Sequence, residues 1–196
     1  TIRAFMPDPS LFRDMDAAAE RLADAVQRGE DVRIFGDYDV DGATSTALLK
    51  RFFRALGLEV PVHIPDRMSE GYGPNAPALL ELQRKGAKLI LTVDCGVTAY
   101  APLQEARDAG IDVIVVDHHA AEPELPPAVA VVNPNRLDDE SGLGHLCAAG
   151  VAFLVCVALL RELRNRGWLE KKGVRAPDLR GWLDLVALGT VCDVVP

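Results

Sequence analysis

A chain of 196 residues with 29 acidic against 21 basic side chains carries a formal charge of −8, which argues against a surface that binds nucleic acid by bulk electrostatics through clustered Lys and Arg. It does not exclude a nuclease, because metal-binding carboxylates make a catalytic domain acidic while a separate domain carries the basic surface. Hydrophobic residues make up 49% and charged ones 26%, with no apolar run of membrane-span length and no basic-then-apolar leader, so one globular cytoplasmic domain with no membrane partner is expected.

From Ser10 onward Leu11, Met15, Leu22 and Val26 recur at helical spacing and Gly29 closes the run, predicting an N-terminal helical segment over residues 1–30. A regular alternation follows. VRIFG reads as a short buried strand, and TSTALLKRFFRALG as a helix ended by Gly57. EVPVHIP and NAPALLELQRKG give a second strand and helix, KLILTVD and APLQEARDAG a third pair, DVIVVD a fourth strand and AVAVVNP a fifth. Apolar strands alternating with helices predict an α/β fold: an open, mainly parallel five-stranded sheet with helices on both faces, reaching to about residue 134. NRLDDESGLGH is then a polar loop, and a helical extension over 145–196 contains LCAAGVAFLVCVALLRELRNRG and a last helix that turns loop-like at Gly189. Gly150 in the first of these helices is expected at a close helix contact. The four cysteines, Cys95, Cys147, Cys156 and Cys192, form no C-x-x-C pair, which argues for reduced, mostly buried thiols over a zinc ribbon.

The polar residues of this pattern fall at one edge. Asp37, Asp39 and Asp41 follow the first strand, Asp94 ends the third, and Asp117, His118 and His119 end the fourth. Ligands of open parallel sheets bind outside the carboxyl ends of the strands. DYDVDG matches the opening of a calcium EF-hand loop, but the twelfth position from Asp37 is Leu48 and a strand precedes it, so that reading fails. A haloacid-dehalogenase-type phosphatase also places Asp-x-Asp after a strand; here the later strand end brings His118 and His119 where that chemistry uses an acidic pair. Carboxylate and imidazole donors without thiolate suit Mn²⁺ best, with Mg²⁺ or Fe²⁺ as alternatives. So many carboxylates favour two ions about 3.5–4 Å apart, a pair suited to phosphoryl displacement.

DYDVDG, VDCG, VVDHH and ALGTVCDVVP resemble, in order, the four motifs of the DHH phosphoesterase superfamily. GDYDVDGATSTALL, PDRMSEGYG and LVALGTVCDVVP are closer still to its RecJ-type single-strand-specific exonucleases, from about Val32 to the end. The resemblance implies a DHH catalytic domain over 31–196. It implies Mn²⁺- or Mg²⁺-dependent 5′-to-3′ removal of nucleotides from single-stranded DNA in repair and recombination. Single-strand-binding protein or a helicase would be partners of the full-length protein. It makes Asp39, Asp41, Asp94, His118 and Asp193 metal ligands, with Asp94 as the bridge and Asp37 as a further ligand or an acid just behind them. His119 becomes a phosphate contact or proton donor. Many superfamily members carry a His four residues before the first metal-binding Asp; here that residue is Phe35. The resemblance also implies DHHA1 and OB-fold domains, expected downstream and outside this chain. In PDRMSEGYG, Arg67 is a candidate to bind phosphate and Tyr72 to stack on a base, the alternative being an exposed loop Arg and a packing Tyr, whereas His63 and His145 are not expected to be ligands. Two other functions fit the motifs: hydrolysis of short oligonucleotides, cyclic dinucleotides or pyrophosphate, and a scaffold with a decayed site.

Overall fold

Residues 5–195 are described by the computed structural model of the protein. Five strands, β1 (Val32–Gly36), β2 (Val62–His63), β3 (Leu89–Val93), β4 (Asp112–Val116) and β5 (Ala130–Val132), pair in parallel throughout. Their order is β2–β1–β3–β4–β5, so the chain winds outward in both directions from the β1–β3 junction. That junction is the switch point where the helices following neighbouring strands diverge to opposite faces and leave a crevice.

The strands β1 and β3 are buried at every position, which is why their sequences, Arg33 and Thr92 apart, are apolar without alternation. The side chains of β1, β3 and β4 nevertheless divide between two cores. Ile34, Leu91, Val93 and Ile114 face α1 (Met15–Arg28), α2 (Val40–Ala55) and α5 (Ala148–Asn165). Phe35, Ile90, Val113 and Val115 face α3 (Ala76–Arg84) and α4 (Tyr100–Asp108). A short helix α6 (Trp168–Lys172), bounded by Gly167 and Gly173 in left-handed conformation, precedes α7 (Leu183–Asp193), which packs on α2 and α5. The helices expected on both faces are there. Among the described residues no helix is long and apolar enough to cross a membrane.

Several local expectations are corrected. Leu11 is not on the first helix: it ends a 3-10 turn, Pro9–Leu11, and is 54% exposed. Helix α1 starts only at Met15, because Asp14, left-handed at φ 59°, is tied to β5 by accepting the Val131 amide over 3.1 Å. The helix then shares one core with α5, so the expected N-terminal segment is integral to the sheet domain as far as it is described; residues 1–4 lie outside that description. The second strand shrinks to two residues, since Pro61 and Pro65 flank it without amide donors. Helix α2 begins at Val40 and not at Thr44, and α7 runs on through Gly189 to Asp193.

Candidate metal centre

The three acids of DYDVDG occupy three kinds of backbone. Asp37 leaves the end of β1 and is 2% exposed. Asp39 is the N-cap of α2, its Oδ1 accepting the Gly42 amide over 2.8 Å. Asp41 lies in the first turn, where a carboxylate opposes the helix dipole favourably, and its side chain crosses to another helix. There its Oδ2 accepts the Ala148 amide over 2.6 Å and Oδ1 the Ala149 amide over 2.9 Å, so Asp41 caps α5. Two amides at a helix start are what allow this carboxylate to be 1% exposed. Gly150 is buried one residue further on, against Leu146.

Asp94, at the end of β3, adopts a left-handed backbone (φ 60°), while its amide still donates to the Val116 carbonyl over 3.0 Å. A residue held by the ladder on one side and turned into this sparsely populated region projects its carboxylate from the strand end. The turn after β4 is organised by Asp117. Its Oδ1 accepts the His118 amide at 2.8 Å, the His119 amide at 3.2 Å and the His119 Nδ1 hydrogen at 2.8 Å; Oδ2 accepts the Val97 amide at 3.0 Å. This role was missed in the sequence, where Asp117 stood at the edge without a function. With Nδ1 donating, His119 keeps Nε2 for an outside partner, and its side chain is 46% exposed.

These segments bring together all six residues expected as ligands. His118 Nε2 stands 3.3 Å from Asp94 Oδ1, 3.5 Å from Asp193 Oδ2 and 3.7 Å from Asp41 Oδ2. Three groups of donor atoms, each within 4.8 Å of one another, result: Asp41, His118 and Asp193; Asp37, Asp39 and Asp94; and Asp94, His118 and His119. Asp193 gets there through Gly189. A Cβ at Gly189 would lie 2.6 Å from Asp41 Oδ1, 2.8 Å from Thr44 Oγ1 and 2.9 Å from Ala149 Cβ, so α7 approaches α2 and α5 only because that side chain is a hydrogen.

The electrostatics match. Burial, followed by the charges of Asp41 and Asp39, pushes the Asp94 carboxyl up to about 10. Burial raises Asp37, with Asp39 adding to it, and burial raises Asp41 against the opposing amides of Ala149 and Ala148. Burial acts on Asp117 too, but the hydrogen bond from His119 and the surrounding amides hold it low, and the same bond raises His119. Asp94 Oδ1 and Oδ2, Asp37 Oδ1 and His118 Nε2 are buried with no hydrogen-bond partner among the described residues. A buried polar atom left unpaired costs about 1–3 kcal/mol, and more when charged. Oxygen and imidazole donors gathered this way fit hard to borderline divalent cations such as Mn²⁺ and Mg²⁺, and the residues therefore fit the metal expected.

The rim is looser. Arg67 is exposed, its guanidinium carbon 4.8 Å from the centre of the Tyr38 ring. Tyr72 donates to the Asp94 carbonyl over 3.3 Å and meets His119 edge-on, the ring centres 6.3 Å apart. His63 pairs with Glu70 at 3.0 Å and packs on Phe35, and His145 is exposed; neither belongs to a donor group. Phe35 is fully buried among the side chains facing α3 and α4. All four cysteines are unpaired, and only Cys192 is exposed.

Fold and site together define an α/β domain built around a carboxylate–imidazole centre at a sheet switch point. The chain belongs to the DHH family: residues 31–190 match the family's N-terminal domain. Over its whole length it is 43% identical to the single-stranded-DNA-specific exonuclease RecJ of Salmonella typhimurium, and covers 34% of that protein. A crystal structure of exonuclease RecJ bound to manganese is 39% identical, with a TM-score of 0.76 over 94% of this chain and 44% of that one. The structure of RecJ in complex with Mn²⁺ from Thermus thermophilus is 36% identical, with a TM-score of 0.72 over 94% of this chain and 25% of that one. The chain thus spans about a third of the length of the curated relatives it matches.

Proposed function

We propose that this chain is the catalytic core of a metal-dependent exonuclease that degrades single-stranded DNA from the 5′ end in repair and recombination, in the cytoplasm. The observation that carries the reading is the sharing of donors: Asp94 and His118 each belong to two of the three groups. Asp41, His118 and Asp193 would hold one divalent cation, Asp37 and Asp39 a second, with Asp94 common to both. Bound there, Mn²⁺ or Mg²⁺ supplies Lewis-acid charge for the phosphoryl displacement and lowers the pKa of the attacking water. His119, its Nδ1 committed to Asp117, offers Nε2 to a phosphoryl oxygen. Arg67 binds a neighbouring phosphate through its planar fork, and Tyr72 gives a base a face to stack on. A core of charge −8 repels a polyanion, so the strand's grip is assigned to DHHA1 and OB-fold modules of the full-length protein, which would also meet single-strand-binding protein or a helicase.

The test is Mn²⁺ calorimetry on this chain, with hydrolysis assays on the natural full-length protein using end-labelled single strands, dinucleotides and pyrophosphate. The expected result is Mn²⁺ binding by the chain, weakened in His118→Ala, and preferred cleavage of the single strand, with His119→Ala losing turnover more than metal. A chain that binds no Mn²⁺, or a protein that prefers the dinucleotide, overturns the reading.

A further inference from the structure

The turn carrying His118 and His119 leaves the sheet directly after β4: the Asp117 amide donates to the Val132 carbonyl over 3.1 Å, one residue beyond the last register pair, Val116 with Val132. The carbonyls of both histidines then need donors from elsewhere. Each receives a side-chain amide from the exit of β5. Asn133 Nδ2 donates to the His119 carbonyl over 2.9 Å, and Asn135 Nδ2 donates to the His118 carbonyl and, over 3.3 Å, to that of Gly144. The two asparagines are linked in turn, the Asn135 amide donating to Asn133 Oδ1 over 2.7 Å. Asn133 is fully buried, a costly place for an amide unless its bonds are made. Gly144 gives Asn135 its room: a Cβ there would sit 2.5 Å from Asn135 Oδ1.

The turn is therefore gripped twice, its N–H groups by Asp117 and its carbonyls by two asparagines. We infer that Asn133 and Asn135 are positioning residues, which hold the backbone so that His118 Nε2 stays among Asp41, Asp94 and Asp193 while the His119 ring keeps its orientation. This deepens the metal-centre reading proposed above and rests on it. The sequence shows there only a strand end at NP and a polar loop beyond it. That loop runs from Asn135 straight to the start of α5, whose amides hold Asp41, so one segment braces ligands from β4 and α2.

Asn133→Asp and Asn135→Asp keep the side-chain shape, delete the donor and set oxygen against oxygen. In the natural full-length protein, Mn²⁺ affinity is measured by calorimetry, the ring nitrogen resonances of His118 and His119 by NMR on the metal-free sample, and folding by thermal melting. Each variant is expected to lose about ten-fold or more in Mn²⁺ affinity, as supports behind metal ligands commonly do, and to shift both ring resonances while still melting cooperatively. Gly144→Ala, which pushes on Asn135 without removing a donor, should shift both readouts in the same direction by less. Folded variants with wild-type affinity and unshifted rings would overturn the inference, and so would loss of the fold in all three. His118→Ala separates the two readings. If it also keeps full affinity, the metal reading itself fails; if it alone loses affinity, only the asparagine support fails.

Discussion

Asp94 and Tyr72 are one hydrogen bond apart, yet the first is 1% exposed and the second 55%. The difference runs through the whole site. The floor of the crevice, with Asp37, Asp41 and Asp94, is set by strand register, a helix cap and a tertiary cap on α5. The rim around Arg67 is set by bonds within its own loop: Asp66 Oδ1 accepts the Met68 amide at 2.8 Å and the Ser69 amide at 3.1 Å, while Glu70 accepts the Asp66 amide at 2.9 Å. Moving a floor residue requires moving the sheet, whereas moving a rim residue requires only rearranging a loop that is 94% exposed at Met68. A floor of this kind suits groups that must keep fixed distances, and the rim suits contacts that adjust to a bound ligand.

The sharpest break in that comparison is Asp94→Asn. It strips the charge and one oxygen from a donor shared by two groups, and the loss of several kcal/mol of transition-state stabilisation corresponds to a rate decrease on the order of 10³-fold or more. Stability of the metal-free protein should hold or rise, because a neutral amide suits a position where burial and the neighbouring carboxylates already disfavour charge on Asp94. Steady-state rates with Mn²⁺ and a thermal melt without it decide the matter; a variant keeping a tenth of the rate would remove Asp94 from the centre.

Next in size is Gly189→Ala, directed at the contact that brings α7 to the floor. The added methyl has no room beside Asp41, Thr44 and Ala149, and overpacking of this kind costs about 1–3 kcal/mol. Because the displaced helix carries Asp193, Mn²⁺ affinity should fall along with stability. A variant that melts at a lower temperature but binds Mn²⁺ as the wild type does would uncouple α7 from the centre.

The contrast between floor and rim also decides what could be read from the sequence. The floor was legible because apolar strands ending in acids leave few places for those acids to go. Asp37, Asp94 and His118 were placed at one edge from that pattern alone, and the alternation of strands and helices gave the parallel sheet. Gly189 was misread since a glycine in an apolar helix looks like its end; close packing against Asp41 overrides that propensity. The roles of Asp117 and Asn133 were invisible, as each bonds to groups whose proximity exists only once β4 and β5 have paired. The start of α2 was placed four residues late because DYDVDG reads as a turn, whereas Asp39 and Asp41 are a cap and a first-turn acid.

At the rim, Tyr72→Ala and Arg67→Ala should raise KM for a single strand about ten-fold each, consistent with about 1–3 kcal/mol per stacked base, and leave kcat within about three-fold. The measurement is a KM and kcat series on strands of increasing length in the full-length protein. Losses confined to kcat would move these residues from the rim to the reacting centre.

The smallest effect expected lies away from the site, where α1 meets α5. Asp24 Oδ1 accepts Arg166 Nη1 over 2.6 Å and its Oδ2 accepts Arg28 Nη2 over 3.0 Å. The Arg166 hydrogen bond, with Arg28 nearby, holds the Asp24 carboxyl below its usual range. A carboxylate whose folded pKa is depressed adds stability that is present above its unfolded value of about 3.9 and is lost as pH falls through the folded one. The pair is about a third exposed at Asp24, so screening limits its worth to roughly 1 kcal/mol or less. Asp24→Asn should therefore lower stability slightly at pH 7 and at low salt, with the gap to wild type narrowing below about pH 4 and in about 1 M salt. Urea unfolding curves at both pH values measure it. A gap that stays constant with pH and salt would mean that Asp24 acts through packing and not through charge, alongside the buried side chains of Met15 and Leu22 in the core that α1 shares with α5.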